Sequence, residues 1–453
     1  MMATLILKDI LEATRGKRIY GEMEEFPAIS IDSRTIKDGE LFIALKGYNF
    51  DGHDFLHEAL KKGDGALVSI PPSEPPNGFK RKKTLICVGN TLRALQDIAH
   101  FLRIKKDIPV IAITGTNGKT TTKELVAGIL GSKFRVLKNS GNLNNQIGLP
   151  LSLSSIEPEH DAVVLEMGAS APGDIKELCA IASPGYGVVT NIGHAHLEGF
   201  GDIHTLRKTK CELLETVHTV SVNADDSFLL EGINGYKGRI IRYGIHGKEL
   251  DVYADDIEVS DRGSKFLLHI GKDSVMVNLK VGGLFNIYNA LAGSSIGYIF
   301  GIGTEDIKSG LQDFKGVPMR FEIKRMANVT LLSDVYNANP ASMEEAIKEM
   351  IRLKEGRSGR AIAVLGDMLE LGPYGETAHR KLGSWMSGLP VDLLIAVGPL
   401  MSLSADSFSG VSVKAEDSES AKSLLLNEMR DEDIVLVKGS RGMKMERVIE
   451  DAL

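Results

Sequence analysis

The chain has 453 residues, 43% of them hydrophobic and 25% charged, with a formal net charge of −7. At roughly 150 residues per domain this length suggests about three domains with sizeable cores, and the acidic balance argues against a nucleic-acid partner because no basic face announces itself. Cys87, Cys179 and Cys211 are scattered and odd in number, so neither a disulfide framework nor a metal knuckle is indicated.

The first stretch, MMATLILKDILEATRGK, carries Lys8 and Asp9 inside its apolar run and lacks the layout of a signal peptide. No segment approaches the ~18 uninterrupted apolar residues of a membrane span. A cytoplasmic protein without membrane insertion is expected.

Residues 1–106 read as a small α/β domain, with strands at 29–32, 41–45 and 65–70 and an amphipathic helix over 91–105. Ser33-Arg34 and the segment GYNFDGHDF at 47–55 are rich in turn formers. Taken alone they are only turns.

The second expected domain, residues 107–317, opens on VIAITGTNGKTTT at 110–122. A β-branched strand breaks at Gly115 and Gly118, and a helical pattern begins at Lys119. Strand, glycine turn, Lys-Thr and helix make a phosphate-binding loop. Its backbone N–H groups and helix N-terminus face an anion, Lys119 reaches the outer phosphates, and the hydroxyl of Thr120 can hold Mg²⁺. The spacing departs from G-x-x-x-x-G-K-[ST], because Ile113 stands where the first glycine belongs. A nucleotide site is nonetheless expected, since strand and helix flank the loop in the order the mechanism requires.

Strands at 134–137, 161–166, 187–191 and 219–223 then alternate with helices at 173–182 and 204–217, the signature of a parallel, doubly wound sheet. Short alternating runs between 239 and 281 predict antiparallel strands added at an edge, followed by a small-residue helix over 286–300. In residues 318–453 the alternation restarts, with strands at 329–335, 361–365, 393–397 and 433–437 and helices at 342–353, 377–386, 418–429 and 443–452. The expected fold is therefore α/β with three domains: a central doubly wound phosphate-loop ATPase-type sheet and a C-terminal Rossmann-like sheet follow the small first unit.

Glu166 ends a buried strand, at the edge where such sheets bind ligands, and can hold Mg²⁺ directly or through water; a solvated loop glutamate is the plain alternative. NIGHAHLEGFG repeats the arrangement after the next strand and carries His194, His196 and Glu198. The helix that follows is basic, with Arg207, Lys208 and Lys210, as surface helices often are. Arg320 sits at the second boundary and suits transferring phosphate charge. Asp334 ends the first strand of the last domain and suits a ribose hydroxyl.

The ordered set TGTNGKTTT, EMGA, NIGHAHLEGFG, NIYNALAG, PMRFEI, DVYNANP, GDMLELG and VKGSRG, together with IDSRTIKDGELFIALKGYNFDGHDF, resembles the ATP-dependent muramyl-peptide ligases of bacterial cell-wall synthesis over the whole chain. The resemblance implies ATP and Mg²⁺ as cofactors, UDP-N-acetylmuramoyl-tripeptide and D-alanyl-D-alanine as substrates, and a monomer. It also implies residue roles. Gly115, Thr116, Asn117, Gly118, Lys119, Thr120 and Thr121 would hold the ATP phosphates. Asn289 would contact the adenine side, with Arg320 and Asp334 reaching phosphate and ribose across the hinge. Thr120, Glu166, His196 and a carbamylated Lys210 would hold metal, and Lys119, Lys210 and Arg320 would be catalytic. Ser33 and Arg34 would lie at the UDP end, and Asn144 and Asn145 along the muramyl-peptide path. The Asp-Asn-Pro-Arg signature of the diamino-acid-adding relatives is absent from the last domain, and the loop reads GKTT where folylpolyglutamate synthetases usually read GKGS.

Overall fold

The computed structural model describes residues 4–74, 83–194, 197–326 and 328–450, and the statements below concern these. Three larger sheets organise them. The first contains Lys17–Tyr20, Thr84–Cys87, Gly65–Val68, Leu41–Ile43 and Ile29–Ser30 in that spatial order, parallel except at the first pair. The helix Thr91–Lys105 leaves this sheet and ties it to the next unit: Gln96 donates to Gln146 O and Glu177 Oε1, and Arg103 donates to Ala182 O.

The central sheet has nine strands, and Val110–Thr114 lies between Tyr186–Val189 and Ala162–Glu166. Every residue of Val110–Thr114 and Ala162–Glu166 is buried. Alternation divides them cleanly: Val110, Ala112, Val163 and Leu165 enter one core, and Ile111, Ile113 and Val164 the other. The helices Lys119–Leu130 and Leu284–Ile299 cover the second face, brought close by Gly293, where an added Cβ would fall 3.2 Å from Leu125 Cβ. From Val110–Thr114 the chain moves to one side, through Val136–Lys138 and Ala162–Glu166, and then crosses to Tyr186–Val189 on the other. That reversal opens a crevice at the carboxyl ends of the strands, where open α/β sheets bind ligands.

The edge extension matches the antiparallel expectation in its last two strands and departs from it in its first two. Arg239–Gly244 runs parallel to Thr219–Asn223, and Val252–Ser260 joins it in parallel; only Gly263–Ile270 and Asp273–Leu279 are antiparallel. Alternating burial identifies a strand with one exposed face but carries no sign of its direction.

The third sheet runs Glu322–Met326, Val329–Asp334, Ile434–Lys438, Ala361–Gly366, Leu393–Val397 and Ser412–Ala415, parallel apart from its first strand. The final helix expected at 443–452 does not form among the described residues of that stretch. The short 3-10 segments Arg441–Met443 and Met445–Val448 stand there, separated by Lys444 in the left-handed region at φ 52°. One such residue breaks the i→i−4 ladder, while Met445, Val448 and Ile449 still reach the core. The helix expected over 204–217 likewise ends as Ile203–Cys211 followed by a 3-10 turn, Glu212–Glu215. No helix among the described residues is long and apolar enough to cross a membrane.

Candidate active site

A cavity of about 790 Å³ opens at the carboxyl ends of the central strands and is closed on its far side by the third sheet. Its floor is the phosphate loop. Gly115 and Gly118 take φ of 133° and 80°, and a Cβ at Gly118 would fall 2.2 Å from Asn289 Oδ1, so the loop can lie directly on the helix Leu284–Ile299. The loop is held from beside as well. Asn191 Oδ1 accepts from Asn117 N at 2.9 Å, Thr190 Oγ1 donates to Asn117 O at 2.6 Å, and Thr116 N donates to Asn191 O at 2.9 Å.

Lys119 curls over the loop and donates to Gly115 O at 3.0 Å and Thr116 O at 2.7 Å. Burial lowers its pKa, and the charge of Arg320 adds to that while Glu166 opposes it. A partly desolvated cation enclosed by carbonyls is suited to receive phosphate oxygens. Thr120 Oγ1 donates to Glu166 Oε2 at 2.7 Å, and Asn144 Nδ2 to Glu166 Oε1 at 2.8 Å. Glu166 is 3% exposed.

Lys210 lies on the cavity wall and is 3% exposed. Its ammonium has no hydrogen-bond or ion-pair partner among the described residues. Burial, then the charge of Lys119, pulls its pKa down to about 7 against the carboxylates of Asp174, Glu166 and Glu212. Lys208 is not among the cavity-lining residues.

Two described groups, the hydroxyl of Thr120 and the carboxylate of Glu166, meet where the sequence expects a metal, and Lys210 lines the same cavity. No cluster of three or more His, Cys, Asp or Glu residues forms a ready cage among the described residues. One carboxylate beside a phosphate loop is nevertheless a donor set that fits Mg²⁺, which keeps waters and takes the remaining oxygens from phosphate. His196 lies outside the described residues.

The third sheet closes the cavity. Arg320 stacks its guanidinium 4.0 Å from the ring centroid of Tyr336, flanked by Met319 and Phe321 at φ 65° and 47°. Non-glycine residues hold such angles only where surrounding contacts over-determine them. Phe321 is 4% exposed and packs edge-on to Phe285 at 4.9 Å. Asp334 is already engaged: Lys438 donates to one carboxylate oxygen, and Phe321 N donates to the other at 3.2 Å. Across the cavity Asn339 Nδ2 donates to Asn117 Oδ1 at 2.8 Å, and outside the cavity lining the ring of His194 stacks on Tyr374 at 5.8 Å.

Of the residues expected at the site, the cavity gathers Gly115 to Thr121, Asn144, Asn145, Glu166, Lys210, Asn289, Arg320 and Asp334. Asn145 spends its side-chain carbonyl on capping, accepting from Ile147 N and Gly148 N. Asn289 sits under the loop, accepting from Thr122 Oγ1 at 3.3 Å. Ser33 and Arg34 are absent from the cavity wall; Ser33 reaches Glu58 at 3.5 Å, and Arg34 pairs with Asp32 at 2.7 Å on the first sheet's surface. That pairing lowers the Asp32 carboxyl to about 2. Sequence reasoning missed Asn191, Asn339, Asp174 and Lys438. Asn191, Asn339 and Lys438 lie inside singled-out motifs, NIGHAHLEGFG, DVYNANP and VKGSRG, but a motif gives no sign of which partner each of its side chains will bind.

Comparison with known proteins gives three family matches in order along the chain: "Mur ligase family, catalytic domain" over residues 25–102, "Mur ligase middle domain" over 113–297 and "Mur ligase, glutamate ligase domain" over 319–441. A UDP-N-acetylmuramoyl-tripeptide–D-alanyl-D-alanine ligase of Bacillus subtilis is 34% identical over 99% of this chain and 98% of its own length. MurF from Acinetobacter baumannii superposes with a TM-score of 0.91 at 30% identity, over 99% of both chains. MurF ligase from Thermotoga maritima, solved in complex with ADP, gives 0.83 at 29% identity over 93% of this chain and 96% of that one.

Proposed function

The chain belongs to the Mur ligase family, and from that premise we propose that it is the ATP-dependent ligase that adds D-alanyl-D-alanine to UDP-N-acetylmuramoyl-tripeptide in peptidoglycan precursor synthesis. The observation that carries this reading is the cavity itself. A phosphate loop, a buried carboxylate and a buried amine without a partner among the described residues line one space with an arginine from the turn before the third sheet, and that space is sized for a nucleotide and a peptide end.

In this reading the tripeptide's terminal carboxylate attacks the γ-phosphate of ATP, releasing ADP and leaving an acyl phosphate. The amine of D-alanyl-D-alanine then attacks the carbonyl carbon, the amide forms and phosphate departs. The first step brings two anions together, so charge neutralisation and orientation dominate the barrier. Loop N–H groups from Gly115 to Thr121 cradle the phosphates. Lys119 exchanges its carbonyl partners for phosphate oxygens, and Arg320 meets the transferring group from the opposite wall. Asn289 supports the loop towards the adenine side, and Asp334, held by Lys438, faces the ribose.

Thr120, Glu166, His196 and modified Lys210 would hold Mg²⁺, which supplies charge neutralisation and orientation of the phosphates when bound. An ammonium has donors only and cannot ligate. Carbamylation of Lys210 resolves this: its neutral amine forms an N–C bond with CO₂ and loses a proton, leaving a carboxylate-like oxygen pair. The depressed Lys210 pKa, about 7, keeps neutral amine available.

Asn144 and Asn145 would lie along the muramyl-peptide path, and Ser33 and Arg34 at the uridine end. The units are taken as residues 1–106 for the uridine substrate, 107–317 for ATP and 318–453 for closure. The enzyme is taken as a cytoplasmic monomer. The test is product mass: purified chain with ATP, D-alanyl-D-alanine and UDP-muramyl-tripeptides ending in lysine or diaminopimelate yields a UDP-muramyl-pentapeptide from at least one. No pentapeptide from either would remove the reading.

A further inference from the structure

Behind Glu166 lies a buried chain of groups that touches neither nucleotide nor peptide space. The strand Val136–Lys138 pairs with Ala162–Glu166 only as far as Lys138 opposite Val164. Glu166, two residues further on, therefore has no ladder partner on that side. Asn139 supplies one from its side chain. Its Oδ1 accepts from Glu166 N at 2.9 Å and its Nδ2 donates to Glu166 O at 3.0 Å, so one carboxamide makes the two bonds that a residue of an antiparallel neighbour would exchange with Glu166. The second Nδ2 proton goes to Leu143 O at 2.8 Å, and Asn139 is 0% exposed.

Asn139 is fixed in turn by a buried cation. Lys123 Nζ donates to Asn139 O at 2.6 Å and lies 3.3 Å from Glu124 Oε1, with Lys123 only 1% exposed. Lys123 belongs to the helix Lys119–Leu130, one turn beyond Lys119 and Thr120. One helix thus presents Lys119 and Thr120 to the cavity and Lys123 to the layer beneath it. A buried ammonium carries a desolvation cost that an apolar residue of the same length would avoid, so packing alone gives no reason for a lysine here.

We infer that Lys123 and Asn139 are positioning residues for the proposed reaction: they fix the Glu166 backbone so that its carboxylate is preset for the divalent cation. The inference rests on the assignment of Glu166 to metal. With the backbone held by Asn139, the bonds from Thr120 and Asn144 leave the carboxylate little freedom before metal arrives. Outer partners of metal-ligating groups typically change affinity by about 10- to 100-fold when removed.

The experiment compares the wild type with Glu166→Gln, Lys123→Met and Asn139→Ser. It measures Mn²⁺ affinity in the ADP complex by electron paramagnetic resonance, and ADP affinity without metal by calorimetry. We expect Lys123→Met and Asn139→Ser each to weaken Mn²⁺ by tenfold or more while metal-free ADP affinity stays within twofold. Asn139→Ser tests the same link if Lys123→Met fails to fold. Glu166→Gln separates the two layers of the argument. If it leaves Mn²⁺ affinity unchanged, the metal assignment fails. If it weakens Mn²⁺ while the folded Lys123 and Asn139 variants bind it as the wild type does, the positioning inference is overturned.

Discussion

Asn339 does two jobs with one carboxamide. Its Nδ2 donates to Asn117 in the phosphate loop at 2.8 Å, while its Oδ1 accepts from Ser342 N at 2.9 Å and caps the helix Pro340–Lys354. The glycine loop at 115–118 is thereby joined to the unit built on the third sheet. Serine caps a helix about as well as asparagine but is too short to reach Asn117. Asn339→Ser should therefore leave stability within about 1 kcal/mol and lower kcat by roughly tenfold, as loss of a closure contact does. A destabilised variant with unchanged kcat would mean that only the cap matters.

Arg320 lines the cavity from the turn before the third sheet and packs on Tyr336. Arg320→Ala should cut kcat by about 10²–10³, the usual range for one preorganised charge partner, while binding of the uridine substrate to the free enzyme stays near normal. Weakened uridine-substrate binding with intact kcat would place Arg320 elsewhere in the cycle.

Lys210 should be nearly inactive as Lys210→Ala, with acetate or formate restoring part of the activity by standing in for the lost carboxylate. Lys208→Ala should remain active, because Lys208 lies outside the cavity wall. Carbon-13 NMR with labelled bicarbonate should show a carbamate signal in the wild type that is missing from Lys210→Ala. Wild-type activity of Lys210→Ala in CO₂-depleted buffer contradicts the assignment.

His379 provides a pH test of the third sheet. It is 0% exposed; its Nε2 accepts from Met368 N and its Nδ1 donates to Gly375 O, so the ring is neutral as folded. Burial lowers its pKa, opposed by the bond to Gly375 and the charge of Asp367. A base whose folded pKa is depressed takes up protons preferentially when unfolded, so stability falls as pH drops below the unfolded value of about 6.5. The slope reaches at most about 1.4 kcal/mol per pH unit for one proton. Between pH 6.5 and 5.5 the wild type should lose unfolding free energy more steeply than His379→Gln. Parallel curves would show that His379 does not govern this window.

Much of this was legible in the sequence because the physics was local. The runs Val110–Thr114 and Ala162–Glu166 are apolar on both faces, which only a sheet covered on both sides satisfies. The loop glycines and Lys119 follow from phosphate geometry. What escaped depended on partners distant in the chain. The direction of Arg239–Gly244 is set by its neighbour Thr219–Asn223, and no property of its own residues encodes it. The 3-10 segments near the C-terminus keep the apolar pattern of a helix while Lys444 interrupts the ladder. Nothing local in the sequence singles out Lys123, and only the fold shows it buried against Asn139.

In the proposed reaction phosphate transfer from ATP is coupled to amide formation in one cavity. The most direct measurement of this coupling is ADP release by the purified wild type and by Lys119→Ala, with each peptide substrate present alone and then together. The account predicts sustained ADP release only with ATP, UDP-muramyl-tripeptide and D-alanyl-D-alanine together, one ADP per pentapeptide, and almost none from Lys119→Ala. Release at the same rate without either peptide, or undiminished in Lys119→Ala, would contradict it.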